Sequence, residues 1–207
     1  MSRDPLAALA ERQHWIGPLE QPLQDAVHRA FDVFGEARDG VRDALHGTWL
    51  HEPLHAVLTD VPVGSWTATV VFDSLAALGA GQAMDVAADA TVVVGLVGAV
   101  GAALTGMNDW AEAKGASRRI GAVHGLLNVA ALGLFGASWV ARRKPGTRGT
   151  ARTLAALGYV VVGASAHLGG NLVYEQGMGV ATKTKKAPAR RRRAASEVPP
   201  EAVAPLE

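Results

Sequence analysis

The sequence predicts an all-α membrane protein: a four-transmembrane-helix antiparallel bundle with amphipathic N-terminal helices. Three observations carry that reading. Four apolar segments reach the roughly 20 residues that a bilayer-crossing helix needs. The links between them are short, which makes sequential helices run in opposite directions. Residues 61–180 hold nearly all the long apolar runs, while residues 1–50 and 181–207 are charged. The chain therefore divides into a soluble amphipathic helical segment (1–50), a four-span membrane domain (51–180) and a disordered polybasic tail (181–207).

The first span is expected from about Pro53 to Gly79 and the second from about Asp85 to Met107. The third runs from about Ile120 to Ala141 and the fourth from about Ala151 to Tyr174. No charge falls between Thr91 and Met107, whereas a soluble surface helix would carry a charged stripe. Gly98, Ala102 and Gly106 recur every four residues, a small-residue row that lets another backbone approach closely. Asp73 lies inside the first span and calls for a cation, which Arg142, Arg143 or Arg152 could supply as an ion pair.

In the N-terminal segment, Leu23, Val27, Phe31 and Phe34 recur at helical spacing. That stripe can rest on the membrane surface or against the bundle. HWIGP (His14 to Pro18) reads as a turn with Trp15 as an interfacial anchor. In the tail, Lys183–Lys186 and Arg190–Arg193 suit anionic headgroups or a stop-transfer role. Four spans place both termini and the Asn108–Arg119 link on one face. The Lys/Arg count there favours a cytoplasmic location, opposed by the basic Arg142–Thr150 link. No cleaved signal peptide is expected, because Met1 to Ala10 lack a basic and then an apolar region.

Composition excludes several chemistries. There is no cysteine, which rules out disulfides, thiolate zinc sites, covalent c-type haem and cysteine-held iron–sulfur clusters in this chain. A formal net charge of +1 gives no reason to expect nucleic acid. No phosphate loop, HExxH or dinucleotide fingerprint is found.

The candidate site is polar. His55, His124 and His167 fall in three different spans at similar height, and ionisable groups inside a bilayer usually face an interior or a cofactor. Asn108 and Asp109 arrive at the same end, and His51, Asp60, Asn128 and Asn171 complete the cluster. Spacings of four (His51 and His55; His124 and Asn128; Gly163, His167 and Asn171) place each set on one helix face. Three readings stand. Haem b could take two axial imidazoles, with His124 and His167 the favoured pair, His55 the spare, and Gly125 and Gly163 making room. A metal ion or proton relay could use the same three histidines with Asp60 or Asp109. Or the cluster is polar glue in a non-catalytic membrane scaffold. A transporter would need a polar path through both leaflets, which Asp73 alone does not give.

Four blocks resemble one bacterial membrane family, domain of unknown function 2231. They are LHGTWLHEPLHAVLTDVPVGSWTATVVFDSLAALG from Leu45, LTGMNDW from Leu104, RRIGAVHGLLNVAALGLFGASWVAR from Arg118 and HLGGNLVYEQGMGV from His167. The chain departs from the family pattern in the first block: His51 and Glu52 stand where the pattern has Gly and a first histidine, and Ala56 where it has Pro. His55 matches. The resemblance implies a four-span domain of the bacterial inner membrane. It also implies a Rieske-type iron–sulfur protein as partner, and so a redox-associated subunit acting in electron transfer. The lipid bilayer is the other expected partner.

Overall fold

The computed structural model describes residues 4–178, and every regular element among them is helical. The polybasic tail expected at 181–207 lies outside the described residues. Three short helices come first: α1 (Pro5–Glu11), α2 (Gly17–Asp32) and α3 (Arg38–His46). Four long ones follow: α4 (Leu54–Ala77), α5 (Gln82–Trp110), α6 (Gly115–Arg142) and α7 (Arg148–Tyr174). Three of these, α5, α6 and α7, are long and apolar enough to cross a membrane. The first expected span falls short on composition rather than length. Its helix α4 has 24 residues, but Asp60, Asp73, His55 and Pro62 dilute its apolar content.

α4 packs chiefly on α5, and α6 on α7. In each pair the start of one helix meets the end of the next: His55 bonds Ala102, and His124 bonds Ser165. The small-residue row faces α4, since a Cβ on Gly98 would lie 2.5 Å from Val61 and one on Gly106 would lie 2.8 Å from the His55 ring. A Cβ on Gly95 would overlap the Trp66 indole, and one on Gly158 would come within 2.9 Å of Phe135. Trp66 and Phe135 stack at 4.1 Å, tilted by only 5°. Around that stack the core closes with Val92, Ala131, Ala155 and Val162.

At the end of the long helices formed by the two hairpin turns, six charges join all four of them. The Arg142 side chain is almost wholly buried and makes two bonds to Asp73, as expected for that carboxylate, and one of 3.0 Å to Asp89. Arg148 binds Asp89 and, at 3.2 Å, Asp85, while Arg152 holds Asp85 at 2.9 Å. Arg143, the third candidate for Asp73, instead lies 3.8 Å over the Trp139 ring.

The N-terminal helices dock on the opposite end. Asp4 caps α1 by accepting from the N–H groups of Leu6 and Ala7. Gly47 ends α3 at φ 74°, where a side chain would strike the backbone of Glu52 and Leu54. The expected apolar stripe of α2 divides: Val27 and Phe31 are partly covered, but Leu23 and Phe34 are exposed. What α2 buries is polar. Glu20 binds Arg118 at 3.0 Å and also Arg119, and Gln24 donates to the carbonyls of Trp110 and Ala113. The reason is that the end of α5, the link after it and the start of α6 offer carbonyls and arginines, so the helix turns its partners for those groups inward.

Enlarging Gly158 to Ala should cost about 1–3 kcal/mol through displacement of Phe135. Reversible unfolding of the detergent-solubilised variant measures it.

Candidate polar site between the hairpins

The structure brings two of the three histidines together. The His55 and His124 rings lie 6.3 Å apart between centroids, with planes at 88°. Each donates from Nδ1 to a carbonyl on the neighbouring helix: His55 to Ala102 at 2.8 Å, His124 to Ser165 at 2.9 Å. A carbonyl can only accept, so both rings carry Nδ1–H and direct the Nε2 lone pair elsewhere. On the Cε1 side each ring lies over a glycine, Gly106 under His55 and Gly169 under His124.

His124 is further held in a closed cycle. Its Nε2 accepts from Asn128 Nδ2 at 3.0 Å, Asn128 Oδ1 accepts from Ser165 Oγ at 2.8 Å, and the Ser165 carbonyl accepts from His124 Nδ1. Ser165 was not legible as a site residue. The clue lies in the buried ladder of α7, Ala155, Gly158, Val162, Ser165 and Leu168, which steps by threes and fours. Ser165 is the polar member of that ladder.

His167 goes elsewhere. It is exposed, and its Nε2 lies 2.5 Å from Asp4 Oδ2, tying α7 to the N-terminal helix. The physical reason is helical phase: two residues beyond buried Ser165, it sits about 200° around the helix. Gly125 and Gly163, expected to make room for a macrocycle, are also exposed, with open space where a side chain would be. A haem held by His124 and His167 therefore does not fit these residues. Nor do three histidines gather for a metal: among the described residues no three or more His, Cys, Asp or Glu side chains are placed to hold an ion.

The remaining polar candidates separate. Asn108 is fully buried and accepts from Arg42 Nε at 3.0 Å while its amide donates to the Arg42 carbonyl. Asp109 accepts from His46 Nδ1 at 2.6 Å. Both fasten α3 to α5, with Arg42 also on Glu112 at 2.6 Å. Asn171 is buried at the end of α7, and Asp60 is exposed on α4. His51 is exposed in the turn before α4 with φ 61°. That left-handed backbone suits glycine.

These features define a helical membrane protein whose intramembrane polar groups are shared between helix pairs. A model of the family described as predicted membrane protein (DUF2231) matches residues 51–182. The chain belongs to that family. The match begins after α3, so the N-terminal helices lie outside it. No curated protein and no solved structure matches the chain.

The hydrogen bond from Arg42 holds the Glu112 carboxyl below its ordinary value of 4.5, with burial opposing and the Arg42, His28 and His46 charges assisting. A lowered carboxyl stabilises the folded form above its unfolded value, and that contribution is lost as pH falls through the folded value. Amide exchange in α3 should therefore quicken below about pH 4.5, and Glu112→Gln should remove that pH dependence.

Proposed function

We propose that this chain is a four-span protein of the bacterial inner membrane with cytoplasmic termini, in which His55 and His124 form a two-imidazole site for haem b between the hairpins. The observation that carries it is the paired geometry of those rings. His55 and His124, their ring centroids 6.3 Å apart on two different helices, are the residues that would hold such a group through their imidazole nitrogens. A backbone carbonyl on Nδ1–H is the outer contact that orients a ligating histidine and raises its basicity. The glycines beneath each ring keep side chains from crowding it. Asn128, exposed on α6, would release Nε2 of His124. When bound, such a group supplies one-electron transfer. The residues themselves fix ring orientation and tautomer and shield the site with apolar helices. The Rieske-type partner implied by the resemblance suits that role, and co-purification tests it.

A second reading is favoured by the closed His124–Asn128–Ser165 cycle, which makes the cluster polar glue worth about 0.6–2 kcal/mol per bond. One experiment separates the two. Protein purified from haem-supplemented cells should show a b-type spectrum, oxidised and dithionite-reduced. His55→Ala and His124→Ala should each abolish it, and His167→Ala should leave it. A colourless wild-type protein, with His124→Ala only less stable, sinks the haem reading in favour of glue.

The same topology sets α2 in the membrane interface. One side meets the bundle through Glu20, which is 1% exposed. A second is apolar and open, with Leu19 and Leu23 each 50% exposed, and Val33 just past the helix end 79%. A third carries Gln21, Arg29 and Asp32, all exposed. A helix with separate protein, apolar and polar sides suits the boundary between headgroups and acyl chains. Because the chain has no cysteine, single cysteines can be spin-labelled cleanly. In phosphatidylcholine vesicles, labels at Leu19→Cys and Leu23→Cys should be oxygen-accessible and shielded from a water-soluble relaxation agent, with Arg29→Cys the reverse. Equal exposure of all three to water excludes interfacial placement.

A further inference from the structure

We infer that α4–α5 and α6–α7 are two copies of one helical hairpin, related by a two-fold axis running along the helices, and that three aspartates of the first copy are arginines in the second so that unlike hairpins pair and like ones repel.

The direct contacts between α4 and α6 establish the axis. His55 meets His124, Trp66 meets Phe135 and Asp73 meets Arg142. Every one of these pairs is 69 residues apart. Contact between equivalent positions is what a two-fold interface produces at its axis.

The second helix of each hairpin follows at an offset of 63. His55 bonds the carbonyl of residue 102, and His124 that of residue 165. Residues 106 and 169 are the glycines under those imidazoles, and residues 95 and 158 the glycines under Trp66 and Phe135. The six buried positions of α5, namely Ala88, Val92, Gly95, Ala102, Thr105 and Asn108, each land on a buried position of α7, ending with Asn108 on Asn171. Buried Pro62, Trp66 and Thr69 of α4 land likewise on buried Ala131, Phe135 and Ser138 of α6. Shorter helix ends at the turn of the second hairpin account for the difference between the two offsets, since α4 and α5 each extend further toward their turn than α6 and α7.

His55, Gly95, Gly106 and Asn108 keep their type in the second hairpin, Thr105 and Ala102 give way to Leu168 and Ser165, and the charged positions change sign. Asp73, Asp85 and Asp89 correspond to Arg142, Arg148 and Arg152, and their ion pairs all run from one hairpin to the other. Two first hairpins placed together would set three carboxylates against three carboxylates. Two second hairpins would oppose guanidinium groups in the same way. Only the mixed pair is neutral, and like charges facing one another at a buried interface are a strong device against the wrong partner. The partner that this surface fits is the unlike hairpin, and the partner it rejects is the same hairpin of a second chain.

The test is a charge exchange in the full chain, read as the folded monomeric fraction in detergent. Asp73→Arg and Arg142→Asp alone should each lower the folded-to-unfolded ratio by roughly a hundredfold or more. The double variant D73R/R142D should recover part of that loss, with Asp89 and Arg152 still matched to the original orientation. A double variant no better than the weaker single overturns the pairing code. The aromatic exchange W66F/F135W tests the duplication without charge. Equivalent sites should accept it, the more so because Trp66 Nε1 is buried with no hydrogen-bond partner to lose. Recovery of the charge exchange with collapse of the aromatic one overturns the duplication.

Discussion

The seam between α4 and α6 sets the register of the rest. Its three contacts recur at steps of 11 and 7 residues, from His55 to Trp66 to Asp73 and from His124 to Phe135 to Arg142. At 100° per residue those steps fall within about 20° of whole turns, and their sum of 18 residues is five turns. The contacting residues thus lie nearly on a line along each helix, and two such lines meet only when the helices run the same way. An ion pair closes one end, an aromatic stack fills the middle and two imidazoles face each other at the other end. α5 and α7 are held against this seam by glycines at the points where large rings arrive.

The buried ion pair contributes position more than stability. Desolvating Arg142 and Asp73 costs several kcal/mol per ion, which their attraction roughly offsets when the remaining donors are satisfied. Here Asp89 and the Ser138 hydroxyl take further donors of Arg142. A misaligned seam would leave a guanidinium buried without its carboxylate, which is costly enough to exclude one-turn slips. A purely apolar seam would have no such preference.

Much of this was legible in the sequence and some was not, for identifiable reasons. The long helices follow from apolar length, and a cationic partner for Asp73 from the cost of a lone carboxylate, although the sequence left Arg142, Arg143 and Arg152 as equal candidates. The error at His167 came from treating a four-residue ladder as a straight line. Four residues turn 400°, so each step drifts 40° around the helix, and Gly163, His167 and Asn171 run from an exposed face to a buried one. The stripe Leu23, Val27, Phe31 and Phe34 misled differently, because the pull on α2 is exerted by arginines and carbonyls distant in the chain. Likeness between the hairpins is masked because the positions that matter change type, Trp to Phe and Asp to Arg, while the retained His, Gly and Asn residues are few.

The near-symmetry of the two imidazoles makes their differences informative: the Ser165 hydroxyl lies 3.0 Å from His124 Nδ1, where His55 has Ala102. Each has the same carbonyl bond and the same glycine floor, but one turn beyond His124 stands Asn128, and one turn beyond His55 stands Thr59. The asparagine amide reaches back to Nε2, whereas the threonine hydroxyl donates to the carbonyl of Ala56 in its own helix. A second hydrogen bond thus closes one ring and leaves the other with its Nε2 lone pair available. In the proposed two-imidazole site, His55 is the half whose Nε2 needs no rearrangement.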